Sequence, residues 1–150
     1  MNKFRTHNCS ELSENEIDKN VILSGWLHRK RDHGNLLFAD LRDHYGITQC
    51  VIENKSKFFP IIEKARPETV LRIEGKVVKR AGGTENLDLK TGKIEVSISS
   101  IEILSNANEL PIPVFGEQDY PEDIRLKYRF LDLRRDEMHK NIILRSKVIS

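Results

Sequence analysis

The chain has 150 residues, 38% hydrophobic and 32% charged, with a net charge of +2. That balance excludes a disordered chain, and no apolar run approaches the roughly 20 residues that span a bilayer. Cys9 and Cys50 stand far apart with no C-x-x-C partner, which argues against a disulfide framework or a zinc site. The N-terminal MNKFRTHNCSELSENE has no apolar signal stretch, so a cytoplasmic chain with free thiols is expected.

In chain order, residues 1–19 offer a short helical turn around Ser10 to Leu12 and little else. Asn20 to Lys30 alternates as a first strand, with a bend at Gly25. The basic run Arg29, Lys30, Arg31 leads into a turn at Asp32-His33-Gly34-Asn35. Leu36 to Asp43 is a second strand, His44-Tyr45-Gly46 a tight turn, and Ile47 to Glu53 a third strand. Ser56 to Ala65 spaces Phe58, Phe59, Ile61, Ile62 and Ala65 as a helix does, with Pro60 in its first turn and Arg66-Pro67 ending it. Thr69 to Arg80 is a fourth strand, with Leu71, Ile73, Gly75 and Val77 on one face. Ala81 to Lys90 is a loop containing Gly82-Gly83. Ile94 to Leu104 is a fifth strand, with Ile94, Val96 and Ile98 on one face and Glu95, Ser97 and Ser99 on the other.

Successive strand side chains point to opposite faces. In the second strand Leu37, Ala39 and Leu41 share one face, and Phe38, Asp40 and Arg42 share the other. Two readings of Phe38 follow. Either it is an aromatic platform beside a positive loop, the usual way of holding unstacked bases, or the barrel bends and buries it.

Three strands, a helix and two more strands is the order of the OB-fold. This five-stranded Greek-key barrel binds oligonucleotides on its strand 2–3 face and on the loops between strands 1 and 2 and strands 4 and 5. The expected class is mainly β, with this barrel over 1–105 and a helix between strands 3 and 4. A linker over 106–121 and a C-terminal helical segment over 122–150 follow. The linker carries Pro111, Pro113 and Pro121 and no cation, whereas 120–150 holds eight Lys/Arg against five Asp/Glu, a shift that marks a boundary. Glu122 to Arg135 places Ile124, Tyr128 and Leu131 on a helical stripe. Asp136 is expected to N-cap a last helix with a broad apolar face at Ile142, Ile143, Leu144, Val148 and Ile149. Nothing in 1–105 is left open to cover that face, so 122–150 is expected to open a further domain.

The blocks RTHNCSEL (5–12), GWLHRKRDHG (25–34), FADLRDHYGITQ (38–49), TGKIEV (91–96) and RLKYRFLDLRRDEM (125–138) resemble the N-terminal anticodon-binding part of bacterial-type aspartyl-tRNA synthetases. The RLKYRFLDLRR block resembles the segment that leads into the class II catalytic domain. The resemblance covers essentially the whole chain. It implies that Phe38 stacks on the middle anticodon base, a uridine in GUC, and that Gln49 hydrogen-bonds that base's edge. By the same carry-over Arg29 and Arg31 contact the anticodon loop, and Arg80 and Glu95 line the pocket for the other anticodon bases, with Glu95 at the first. His33 and Gly83 occupy loop positions that, in this family, accompany enzymes charging both aspartate and asparagine tRNAs. Lys30 replaces a more common Arg, and Ala39 a larger aliphatic residue.

The resemblance further implies a parent aspartate-tRNA ligase, a cytoplasmic homodimer using ATP and Mg2+, with tRNA as partner and neither DNA nor membrane. Motifs of the FRxE and GxGxGxDR kind, which carry class II chemistry, are absent from the chain. No catalytic residue, metal site or cofactor is therefore expected within it. The five histidines show no metal-ligand spacing, and Gly82-Gly83 lies in a β-loop, not between strand and helix. Three rivals stay open: a generic single-strand-binding OB-fold, an asparaginyl- or lysyl-type synthetase piece, and a domain whose strand 2–3 face meets protein.

Overall fold

A computed structural model of the protein describes residues 3–116 and 119–150. Met1–Asn108 forms one compact unit and Glu109–Ser150 another. The first contains β1 (Asn20–Asp32), β2 (Leu36–Arg42), β3 (Ile47–Glu53), α1 (Phe59–Lys64), β4 (Val70–Lys79) and β5 (Ile94–Ser105). The strands close into a barrel in the order β1-β2-β3-β5-β4, the OB-fold arrangement expected from the element order. The β3–β5 ladder is parallel and short, pairing only Cys50 with Val96 and Val51 with Ser97; the others are antiparallel. Alternation supplies the interior: Leu37, Ala39 and Leu41 of β2 are buried, as are Leu71, Ile73 and Val77 of β4 and Ile94, Val96 and Ile98 of β5.

β1 departs from simple alternation. Leu27 pairs with Leu41, but Arg29 pairs with Asp40, so one extra residue, His28, is accommodated in a bulge. Before it, the odd-numbered Val21, Leu23 and Leu27 are buried. After it, Lys30 stands beside the inward Ala39, while Arg29 and Arg31 stand beside the outward Asp40 and Phe38. Lys30 reaches α1 instead of the outer face, its Nζ donating to the carbonyls of Ala65 (2.8 Å) and Glu63. A cation on the last carbonyls of a helix caps it. The basic run is thus two outward arginines and one structural lysine, not a patch of three cations.

The turn expected around Ser10 to Leu12 precedes a 3-10 turn at Glu14–Glu16, which a reciprocal capping box between Ser13 and Glu16 starts. Cys9 and Leu12 join the barrel core. The Cys9 N–H donates to Asp43 Oδ2 at 2.8 Å, and Thr48 Oγ1 donates to the Cys9 carbonyl at 2.8 Å. Buried polar groups are paired in this way because an orphan costs about 1–3 kcal/mol.

In the second unit the expected helix over 122–135 divides at Tyr128 (φ −108°, ψ 43°) into α2 (Glu122–Lys127) and α3 (Arg129–Asp132). Ile124 and Tyr128 pack against a small core of Ile112, Val114 and Leu131, as their stripe suggested. Asp132 is fully buried and accepts from Arg125 Nε (3.1 Å) and Arg129 Nη1 (2.8 Å). The last helix, α4 (Asp136–Ile149), corrects the expected cap: Arg135, in extended conformation, is the N-cap, and Asp136 is already helical. Asp136 and Glu137 there favour the positive end of the helix dipole. The apolar side chains Ile142, Ile143, Leu144, Val148 and Ile149 are exposed.

Candidate nucleic-acid interface

The outward faces of β1, β2, β3 and β5 carry the candidate residues. Register sets them in rows. Arg29, Asp40 and Gln49 lie across β1, β2 and β3, and Arg31, Phe38 and Val51 form the adjoining row, which continues to Ser97 on β5. Phe38 is half-buried, so its face is neither lost in the core nor wholly in solvent. His33, in the β1–β2 turn, meets the Phe38 ring at right angles with centroids 5.4 Å apart. Gly34 allows that turn, adopting φ +80° while its N–H donates to Asp32 Oδ1 at 2.7 Å.

Four side chains form a continuous chain of hydrogen bonds. Arg31 Nη2 donates to Asp40 Oδ1 (2.9 Å) and to Gln49 Oε1 (3.0 Å), and Gln49 Nε2 donates to Glu95 Oε2 (2.7 Å). Asp40 was not among the residues expected here from sequence. The signal was its place on the outward face of β2, two residues after Phe38.

Arg80 is no surface charge: it is 5% exposed. Its Nε donates to the Ile94 carbonyl (3.0 Å) and its Nη1 to the Thr84 carbonyl (3.4 Å), while Nη2 is buried and makes no hydrogen bond among the described residues. Burial pulls its guanidinium below the usual range, opposed by the carboxylates of Glu95 and Asp40. A buried guanidinium N–H without an acceptor is costly, so a phosphate or base oxygen that reached it would be held strongly. Gly83 of the following loop has φ +83°, and a Cβ there would meet nothing within 4 Å. The position is open space, and its backbone conformation itself favours glycine.

Beside Glu95, where the β3–β5 ladder is short, lies a groove of about 550 Å³ lined by Leu36, Val51, Glu53, Val78, Glu95 and Ser97 among others. The face therefore offers an aromatic ring, an oriented amide, a carboxylate, exposed Arg29 and Arg31, and an adjoining groove. Stacking on aromatics with hydrogen bonds to splayed base edges is how single-stranded RNA is read.

Comparisons with known proteins agree. The family model of the tRNA anti-codon domain, an OB-fold nucleic acid binding domain, matches residues 21–104. Two curated relatives, from Beijerinckia indica subsp. indica and Pelagibacter ubique, are each 61% identical over 99% and 100% of this chain, and each is named Aspartate--tRNA(Asp/Asn) ligase. The chain spans about a quarter of their length, 25% in both cases. A solved asparaginyl-tRNA synthetase from Pyrococcus horikoshii, complexed with asparaginyl-adenylate, superposes with a TM-score of 0.72 at 26% identity. The match covers 85% of this chain and 28% of that one.

Proposed function

The chain belongs to the tRNA anti-codon family of OB-fold nucleic acid binding domains, and on that premise we propose that it reads the GUC anticodon of aspartate tRNA as part of an aspartate-tRNA ligase. The observation that carries this reading is the outward face on which Phe38, Gln49 and Glu95 converge. Phe38 stacks on the middle uridine and Gln49 bonds its edge. Glu95 faces the first base, Arg80 lends its free N–H to the remaining pocket, and Arg29 and Arg31 meet the backbone. Stacking is indifferent to base identity, so selection falls to the hydrogen-bonding groups.

Residues 1–105 serve as the anticodon domain and 122–150 as the opening of the class II catalytic domain; most of the stretch 106–121 expected as a linker instead joins the second unit, with Ile112 and Val114 in its core. Ligation with ATP and Mg2+, a homodimer and a cytoplasmic setting belong to the proposed parent enzyme. Among the described residues no group of three His, Cys, Asp or Glu side chains is placed to hold a metal ion. Gly82 and Gly83 lie in the loop after β4.

A titration at fixed low salt with hairpins bearing GUC, GUU and a middle-A loop tests the reading. Binding to the first two and its loss with the third supports it; equal binding to all three overturns it. Phe38→Ala is expected to weaken GUC binding by about 1–3 kcal/mol; unchanged affinity would mean that this face meets protein.

We further propose relaxed specificity at the third anticodon base, so that asparagine tRNA is also charged. His33 touches Phe38, and Gly83 places no side chain in the β4–β5 loop to reject the wrong base. Both relatives' names carry Asp/Asn. Aminoacylation of asparagine tRNA by the full-length enzyme is the expected result, and failure to charge it ends this part of the reading.

A further inference from the structure

The chain Asp40, Arg31, Gln49, Glu95 fixes where the Gln49 amide lies and also which way round it is. Oε1 faces the Arg31 guanidinium, which only donates, and Nε2 faces the Glu95 carboxylate, which accepts. Turning the amide by half a turn would set N–H against guanidinium and oxygen against carboxylate. Both contacts would become repulsive in a half-buried setting where charge-assisted bonds are strong.

Orientation matters because the two pyrimidines present opposite patterns. Uracil offers N3–H as donor and O4 as acceptor; cytosine offers N3 as acceptor and its N4 amino group as donor. A carboxamide meets uracil with its oxygen at N3 and its nitrogen at O4, and meets cytosine the other way round. A glutamine free to turn satisfies either base. In the locked amide, Oε1 keeps a second lone pair and Nε2 a second hydrogen, the pattern that matches uracil alone.

We propose that this chain is a flip lock that makes Gln49 accept uracil and reject cytosine, with Asp40 as the positioning residue that anchors it. The inference rests on the reading above, in which Gln49 meets the middle anticodon base. Asp40 acts through Arg31: its Oδ1 holds the same Nη2 that bonds Gln49. The Arg31 side chain is 42% exposed against 12% for Asp40, so without the carboxylate the guanidinium is free to leave for solvent. Glu95 thereby acquires a second role beside any contact of its own with the first base.

The test titrates the 150-residue chain with two hairpins that differ only in the middle anticodon base, U or C. The wild-type chain is expected to favour U by on the order of tenfold or more, the discrimination of a good bidentate contact. Asp40→Asn and Arg31→Met are expected to bring that ratio toward one, whatever they do to overall affinity. Lost phosphate contacts weaken both hairpins alike and leave the ratio unmoved. Gln49→Ala separates the two ideas. If it leaves the U/C ratio unchanged, Gln49 does not read this base and the functional reading falls. If it collapses the ratio while Asp40→Asn and Arg31→Met preserve it, the reading stands and the lock is overturned. Nitrogen-15 relaxation of the Gln49 side-chain amide, without RNA, gives a second readout. It should be rigid in the wild-type chain and mobile in Asp40→Asn, and equal rigidity in both overturns the lock.

Discussion

His28, the residue accommodated in the β1 bulge, lies beside Arg42, whose Nη1 approaches its Nδ1 at 2.8 Å. Arg42 also pairs with Glu68 at 2.6 Å, and the Glu68 side chain is 2% exposed. Burial, and then the charge of Arg42, lower the pKa of His28 from its ordinary value of 6.5. A base whose pKa falls on folding binds its proton more tightly in the unfolded chain. Its contribution to stability is therefore complete above the ordinary value and is lost as pH falls below it. The urea midpoint of the wild-type chain should drop between pH 7 and pH 5. His28→Gln, which keeps an acceptor for Arg42 but cannot titrate, should show a shallower drop; an unchanged slope would remove His28 as its source. At this scale some roles could be read in the sequence. Alternation put Phe38 and Asp40 on the face opposite Leu37, Ala39 and Leu41, whereas Gln49 was marked only by the family resemblance. Burial of Arg80 could not be read, because it depends on the loop of 81–93 folding back over the guanidinium.

Among the elements, β4 and β5 show how close backbone approach fixes a residue. A Cβ on Gly75 would stand 2.3 Å from the Ser97 carbonyl oxygen and 2.7 Å from Val96 Cγ1. The β4–β5 register shifts at this point, between Glu74 and Gly75, so the buried row of β5 passes from Ile98 to Ile101. Gly75→Ala must push apart two backbones and should cost on the order of 3 kcal/mol, as overpacking does. A urea-unfolding curve superimposable on that of the wild type would show that the barrel opens there without cost. Strand existence was legible because β4, β1 up to its bulge and the first half of β5 alternate cleanly. Two boundaries were not. α1 begins at Phe59, since Phe58 serves as its N-cap without a side-chain hydrogen bond, and the 122–135 stripe is interrupted at Tyr128. A periodic pattern shows which side chains will be buried, but a break that preserves the same stripe leaves it unchanged.

Over the whole molecule, a net charge of +2 gives no strong field, so affinity for RNA must come from a few local cations. Arg29 is exposed on the interface, and among the described residues no hydrogen bond or ion pair commits its side chain. Each phosphate neutralised on a single strand contributes about 0.7 to the slope of log affinity against log salt. Arg29→Ala should reduce that slope by about this amount and leave base discrimination unchanged; a change in discrimination would instead place Arg29 against a base.

The order of elements and the inward rows follow from the sequence by itself, because a period of two in apolar residues leaves a strand only one way to face a core. They determined the OB-fold and put Glu95 outside; they set Phe38 opposite the inward row of β2, and the structure decided that it lies half-buried there instead of in the core. The placement of Arg29 and Arg31 was decided by the tertiary structure. They share the odd-numbered parity of Leu23 and Leu27, and in an unbroken strand they would point into the barrel. The bulge at His28 shifts the register by one residue, turns both arginines outward beside Asp40 and Phe38, and sends Lys30 to the end of α1. A single extra residue reverses every face beyond it, and whether it is accommodated depends on how β1 closes against β2 and β4 together.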